Sequence, residues 1–375
     1  MEHAASQKQH KHNFFSIRNK MIAAFAAFAV AILTVVYSVA FYLAYVSLMD
    51  NTQYFLKEVV KESSKVLDER SQSLFGTLEA FSNLPAIQDE STSYQDKIEL
   101  FKNEIQMQKR RGWMTFGIGS LDGMLYRTDG TIENAAHTEW FQSAKKGKYV
   151  ITEPALSATE RQYIFIVAIP MRDLQGKIAG VINATILGDS LSNLISDIIV
   201  GETGTAYLVS PSGIILGNRR PEILYKSIYS EIIGSETTDF AQFIRQSFSS
   251  NKLDVNVSEV RGVWYISAVS TMRYSGWTLL LTAPVSEFMS ENVINLINTF
   301  IVIALIQLIV AIGFGIFIAR NITQPINHVI EAMRNIAQGE GDLTIELPAS
   351  GKDETSILSS YFNQTILKLN NSIRQ

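Results

Sequence analysis

Residues 312–343 read IGFGIFIARNITQPINHVIEAMRNIAQGEGDL. The stretch opens as hydrocarbon and closes as an ordinary polar helix, and the change falls at Arg320. Upstream, Asn292 to Ala319 carries no charge, and its polar residues, Asn295, Asn298 and Gln307 among them, are neutral. A bilayer core takes about 20 apolar residues as helix, so this run is long enough to span. Downstream, Ile326, Val329, Met333 and Ile336 step by three and four, which places an apolar seam on one helix face. Pro325 stands near the start of that helix, where its fixed φ is tolerated. The helix is expected to end at Gly339 and Gly341. A connector holding Leu343 and Ile345 follows. A second helix then resumes the seam at Leu358, Phe362, Thr365 or Ile366, Leu369 and Ile373.

Working outward, Met21 to about Leu48 is a second uncharged run, with Tyr37, Tyr42 and Tyr45 toward its end. It exceeds the roughly 7–15-residue apolar core of a cleaved signal peptide, so it reads as an uncleaved span. Lys8, Lys11, Arg18 and Lys20 precede it and Arg320 follows the later span, whereas Asp50, Glu287 and Glu291 border the segment between. Positive charge stays inside. Both termini are therefore expected in the cytoplasm of a cell with an inner (plasma) membrane, and residues 49–291 outside it. His3, His10 and His12 read as part of a solvated basic tail rather than a metal site.

The 375 residues are 47% hydrophobic and 18% charged, too apolar for an ordinary soluble protein and too charged for a polytopic transporter. A net charge of −4 gives no reason to expect nucleic acid. The absence of cysteine excludes disulfides, thiolate catalysis and Cys-bound zinc. No P-loop or metal-binding His pair is found, and the glycines of GIGS and GETG read as turn glycines, so no enzyme activity and no cofactor are expected.

Between the spans, Leu56, Val60, Leu67, Leu74, Leu78 and Phe81 form one face of a long helix that should stop before Pro85. That face covers a core, or covers a core and also forms a dimer seam; both readings stand. The next stretch is strand-like and punctuated by Asp-Gly at 122–123 and 129–130, a hairpin signal. TEWFQSAKKGK reads as a short helix ending at Gly147, and residues 149–186 as three strands with turns near Ser157–Glu160 and at Leu174–Gly176. A smaller copy of the pattern turns at Pro211–Gly213 and Tyr274–Gly276 and runs almost straight into the second span. A long helix followed by antiparallel sheet with short helices is an α+β arrangement.

The order WF, GK, TEP, IPMRD, GKIAGVINATI, GETGTAYLVSPSG, SGWTLLLTAPVSEF resembles the double Cache domain of bacterial chemoreceptors over residues 50–290. The resemblance implies two tandem PAS-like modules on a long helix, the membrane-distal one about 85–198 and the proximal one about 199–285, with a small ligand in the distal module. The family's amino-acid binders carry Arg-x-Trp-Tyr, where this chain has Thr138-Glu139-Trp140-Phe141. Ala155, Ser157 and Thr185 stand where their Tyr and two Asp residues would be. With both charge clamps replaced, a free α-amino acid is not the expected ligand. The expected ligand contacts are Trp113, Phe116, Tyr126, Trp140, Phe141, Tyr163 and Thr185, with Glu133 and His137 near in sequence. They suit a neutral or planar ligand, although Phe116 and Phe141 read equally as core. A module that binds nothing, or that reads a periplasmic binding protein, is the competing reading.

Residues 320–373 resemble a HAMP domain, a parallel coiled coil completed by a homodimer. Pro325, Glu331, Asp342, Leu343, Asp353, Glu354 and Asn363 fall where that family has them, and with Arg320 they are the expected signal relay. Thr355 and Ser356 stand where the family has a Gly. The whole reads as residues 1–20 tail, 21–48 first transmembrane helix, 49–291 double Cache, 292–319 second transmembrane helix and 320–373 HAMP. The resemblance implies a chemotaxis sensor without its signalling tip, acting on a cytoplasmic kinase or coupling protein. The alternatives are the sensor half of a membrane diguanylate cyclase or histidine kinase, or a stand-alone receptor acting through a partner.

Overall fold

The computed structural model describes residues 17–158, 161–233, 239–250, 252–338, 343–351 and 353–373. Expectations for Lys8, Lys11, the three tail histidines, Glu160, Gly339, Gly341 and Asp342 lie outside the described residues. The chain forms two compact units, Val46–Asn292 on the one hand and Met1–Tyr45 with Val293–Gln375 on the other.

The first unit is built on helix α1 (Ile17–Ser82). Its apolar stripe is buried as the spacing requires: Leu56, Val60, Leu67 and Leu78 are inaccessible, and Phe75 joins them from outside the expected positions. The helix stops short of Pro85, whose predecessor Leu84 is extended (ψ 131), as the ring of a following proline demands. After a single turn, α2 (Pro85–Gln88), comes α3 (Tyr94–Gln108). Ser93 caps α3 by accepting the Asp96 N–H.

The first sheet has seven strands: β1 (Trp113–Ser120), β2 (Met124–Arg127), β3 (Ile132–Asn134), β4 (Val150–Ile151), β5 (Ala155–Leu156), β6 (Tyr163–Arg172) and β7 (Ile178–Leu187). They run antiparallel in the order β3-β2-β1-β7-β6-β4, with β5 on β6. Gly123, Gly130 and Gly176 take positive φ at the expected turns. Helix α4 (Glu139–Lys145) lies between β3 and β4, and α5 (Ser190–Ile195) leads to the second sheet. That sheet contains β8 (Thr205–Val209), β9 (Ile215–Gly217), β10 (Asp254–Val260), β11 (Val263–Thr271) and β12 (Thr278–Pro284), in the order β10-β11-β12-β8-β9. Helix α6 (Asp239–Ser250) precedes β10. One core runs from α1 and α3 onto one face of both sheets. A second core lies under α6, and a third between the first sheet and α4.

The long helix is tied to the second sheet by polar contacts as well. Ser64 and Ser270 share a hydroxyl hydrogen bond of 2.7 Å, and Asp68 accepts the Arg273 N–H at 2.9 Å. The two modules meet where the rings of Tyr163 and Tyr225 stack with centroids 3.6 Å apart. The Tyr225 hydroxyl donates to Asp189 at 2.7 Å.

The other unit contains the apolar parts of α1 and of α7 (Val285–Ile318). Both are long and apolar enough to cross a membrane by length and composition. They touch through stacked Tyr37 and Phe300, and Tyr37 donates to Gln307 at 2.8 Å. Beyond α7 the chain does not continue as plain α-helix. Ala319–Thr323 is a π-helical turn, followed by α8 (Gln324–Ala337) and, after the connector, α9 (Glu354–Ile373). Val329, Ala332, Leu347, Phe362 and Ile366 form the core of this end, with Leu343 and Ile345 packed on it.

Candidate ligand-binding site

In a strand, successive side chains point to opposite faces, and that alternation sorts the first module. On β1, Phe116 and Ile118 face the helices α1 and α3, while Gly117 and Gly119 face α4. On β7, Ile182, Ala184 and Ile186 join the helix side. Val181 joins the α4 side, and by alternation so do Asn183 and Thr185. Helix α4 presents Trp140, Phe141 and Ala144 to that second face, with the Trp140 and Phe141 rings edge to face at 5.7 Å.

Polar side chains interrupt this apolar layer, Arg127 and Asn183 among them. Arg127 lies on β2 with the parity of Leu125, which packs under Trp140. Its guanidinium pairs with Glu133 on β3 and donates to the Thr185 hydroxyl at 3.4 Å. Its Nε is buried without a partner among the described residues. Asn183 is 0% exposed, and neither its amide nitrogen nor its amide oxygen has a partner among the described residues. Buried polar atoms are nearly always paired, because leaving one unpaired costs about 1–3 kcal/mol. Three such atoms lie on the α4 side of one sheet.

The glycines of GIGS make the space. Gly117 stands directly opposite Asn183 in the β1–β7 register, and a Cβ there would overlap the Asn183 side chain. A Cβ on Gly119 would come within 2.6 Å of the Phe141 ring. These are strand glycines that admit side chains to the sheet surface, which corrects their reading as turn glycines.

Of the expected contacts, the structure brings Trp140, Phe141, Thr185 and Glu133 to one face. His137 is exposed in the turn before α4. Four others lie elsewhere. Phe116 packs among Phe101 and Trp113, both at 5.2 Å, on the helix side. Tyr126 stacks on Tyr94 at 5.1 Å, also on that side. Tyr163 stacks on Tyr225 between the modules. For Phe116 and Tyr126, strand parity sends the ring away from α4; Trp113 sits at a bulge and joins the same core. Thr138 and Thr185 still stand at the two clamp positions, but the premise that this face carries no guanidinium is corrected, because Arg127 reaches Thr185 from a different strand. With it goes the ground for excluding amino acids. Arg127 and Asn183 stand outside the positions the family pattern points to, Thr138, Ala155, Ser157 and Thr185. The visible signal was a polar residue at alternate positions of VINATI, a strand otherwise apolar on both faces.

The residues expected to form a relay take the following places. Asp353 caps α9, accepting the Ser356 N–H at 2.9 Å and the Thr355 hydroxyl at 3.0 Å. Its hydrogen bonds with Ser356 hold its carboxyl below the usual carboxylate range. Asn363 binds Leu347, and Leu343 packs against the core of this end. Pro325 sits in the first turn of α8. Arg320, Glu331 and Glu354 are exposed.

A family model of the Cache domain, dCache_1, matches residues 33–291. This chain belongs to the dCache_1 Cache family. A HAMP domain model matches residues 317–371 of the Cache chain. The methyl-accepting chemotaxis protein PscA of Pseudomonas syringae pv. tomato is 27% identical over 287 residues, 72% of this chain and 43% of that protein. The chain spans half or less of the length of the curated chemotaxis proteins it matches. Among solved structures, an extracellular domain described as that of a histidine kinase, mmHK1S-Z3, superposes with a TM-score of 0.53 at 14% identity, covering 64% of this chain and 97% of that one. The ligand-binding domain of the Campylobacter jejuni chemoreceptor Tlp3, solved with L-valine, gives a TM-score of 0.49 at 17% identity, covering 65% and 96%. The Cache assignment gives the tandem α+β modules on α1 their family context.

Proposed function

We propose that this Cache chain is the sensing portion of an inner-membrane receptor of the chemotaxis type. Its termini are cytoplasmic, residues 49–291 lie outside, and it signals as a homodimer to a cytoplasmic kinase or coupling protein. A small solute enters between α4 and the first sheet, and a carboxylate or carbonyl on it satisfies Arg127 Nε and the Asn183 amide under Trp140. The observation that carries this reading is the set of three unpaired polar atoms on a glycine-floored face.

Binding there alters β6 and β7. From them, contacts lead through Phe165 against Trp277 (6.0 Å, edge to face) to the turn before β12, which runs into α7. Glu287, in the first turn of α7, accepts the N–H groups of Glu202 at 2.8 Å and Thr203 at 3.0 Å. The start of that helix is thereby fixed to the second sheet. At the far end, Met333, Leu358, Tyr361 and Leu369 are exposed around an apolar groove of about 460 Å³ between α8 and α9. A second copy completing a four-helix bundle covers that groove. A ligand acts on such a system only through its differential affinity for two packings, and couplings of about 1–3 kcal/mol are usual.

The test is a hybrid in which the signalling portion of a methyl-accepting chemotaxis protein follows Ile373, screened with L-amino acids and short carboxylates. At least one solute should change kinase output, and Arg127→Ala should abolish that response. A response unchanged by Arg127→Ala would place the ligand elsewhere.

A further inference from the structure

The second module carries an unpaired polar surface of its own, remote in sequence from Arg127. Across three strands, Thr205, Thr282 and Ser267 stand opposite one another in register, on β8, β12 and β11. Two residues further along each strand, the same face carries Tyr207, Leu280 and Val269, packed in the core with Phe240 and Ile244 of α6. The apolar layer therefore gives way to a row of hydroxyls. Where it does, a cavity of about 450 Å³ opens, lined by that row. Its size falls within the range of small-molecule sites.

The floor is unsatisfied. Ser267 is 0% exposed and its Oγ has no partner among the described residues. Outside the cavity lining, Ser258, opposite Tyr265 on the neighbouring strand, is 3% exposed and its Oγ is likewise unpaired among the described residues. A β-sheet core gains nothing from such hydroxyls unless something else bonds to them.

The mouth is cationic. Arg220 donates to the Tyr207 hydroxyl at 3.3 Å and lines the cavity with Arg261. The one carboxylate in the lining, Glu231, lies 3.4 Å from Lys226, which offsets its charge. Arg261 takes φ 53, a left-handed conformation uncommon for a residue with a side chain. Guanidinium groups at the rim and hydroxyls on the floor match a small solute with a carboxylate at one end and hydroxyl or carbonyl oxygens behind it.

We propose that this cavity is a second ligand site, specific for short carboxylates, in the module from which α7 departs. It is independent of the pocket under Trp140. The experiment is calorimetric titration of the full chain in nanodiscs with pyruvate, L-lactate, L-malate and citrate at millimolar concentration. At least one of them should bind wild type and Arg127→Ala alike. Arg220→Gln should weaken that binding about tenfold or more, the loss expected for one charge-assisted hydrogen bond. Ser267→Ala should weaken it too and, by removing a buried unpaired hydroxyl, should raise the melting temperature of the unliganded chain. No binding by any of the four, binding insensitive to Arg220→Gln, or binding lost only in Arg127→Ala would each overturn the proposal.

Discussion

Asn363 and Leu347 exchange two hydrogen bonds: the side-chain amide donates to the Leu347 carbonyl at 2.8 Å and accepts the Leu347 N–H at 2.9 Å. One side chain thereby does for the connector what a neighbouring strand would do. It pins the connector to α9 with Leu347 turned into the core. Asn363→Ala leaves both backbone groups unbonded, at a net cost of about 1 kcal/mol per bond. Hydrogen exchange at the Leu347 amide should accelerate by roughly one to two decades, since about 1.4 kcal/mol is tenfold. An unchanged rate would show that the pair is incidental.

Arg127→Lys keeps the charge but not the planar fork. It should lose most of the response that the hybrid receptor shows, and Arg127→Ala all of it, a drop in affinity of about 10- to 100-fold for the loss of a charged hydrogen bond worth about 1.5–3 kcal/mol. Trp140→Ala should weaken the same response, because it removes the ring packed above Leu125. Retention of full affinity in Trp140→Ala would exclude the indole from the site.

Gly117→Ala places a methyl group against the Asn183 amide, which is fixed opposite it by the β1–β7 register. Overpacking of this kind costs about 1–3 kcal/mol. The variant should melt earlier and lose ligand response together, whereas Gly76→Ala in α1, with open space around the added atom and no positive φ, should do neither. Equal behaviour of the two would remove the glycine floor from the account.

Burial, and next the hydrogen bond to Asp189, push the Tyr225 hydroxyl well above the ordinary phenol range. A raised folded-state value favours the neutral form, so the stabilisation is fully present below the unfolded value of about 10. It is lost as pH rises through the folded value. Wild type should therefore lose stability on alkaline titration more steeply than Tyr225→Phe, measured by denaturation at a series of pH values upward from neutral. Parallel curves would show that Tyr225 is not coupled to folding.

Leu358 is exposed on the groove beside α8. In a chain with no native cysteine, Leu358→Cys should form a disulfide-linked dimer in membranes under mild oxidation. A cysteine at Gln364, on a polar part of α9, should do so far more slowly. The absence of any cross-linked species at either position would argue against the paired state.

Punctuation and periodicity carried much of the fold. The Asp-Gly pairs at 122–123 and 129–130 announced the turns that Gly123 and Gly130 make, and the stripe from Leu56 to Leu78 announced the buried face of α1. Helix α3 went unread, although Ile98, Phe101 and Ile105 repeat at helical spacing and Ser93 with Asp96 forms a start signal. Its mostly polar composition masked a narrow apolar edge. Helix α6 and strand β10 were missed for a similar reason: only alternate residues of β10 meet the core. The site was harder. Which ring faces the ligand depends on strand parity, and a bulge between Trp113 and Thr115 resets it at the start of β1. That Arg127 reaches Thr185 shows only once β2 is laid beside β1 and β1 beside β7.

The π-helical turn at Ala319–Thr323 holds one residue more than an α-turn would. Each residue of α-helix advances the azimuth by about 100°. Were these residues to rewind as α-helix with none removed, every residue of α8 would be re-clocked by that angle, whereas excising one residue would restore uninterrupted α-helix and leave α8 in its present phase. The turn thus stores one residue's worth of rotation, which winding it into α-helix would release into α8 and a one-residue deletion would remove.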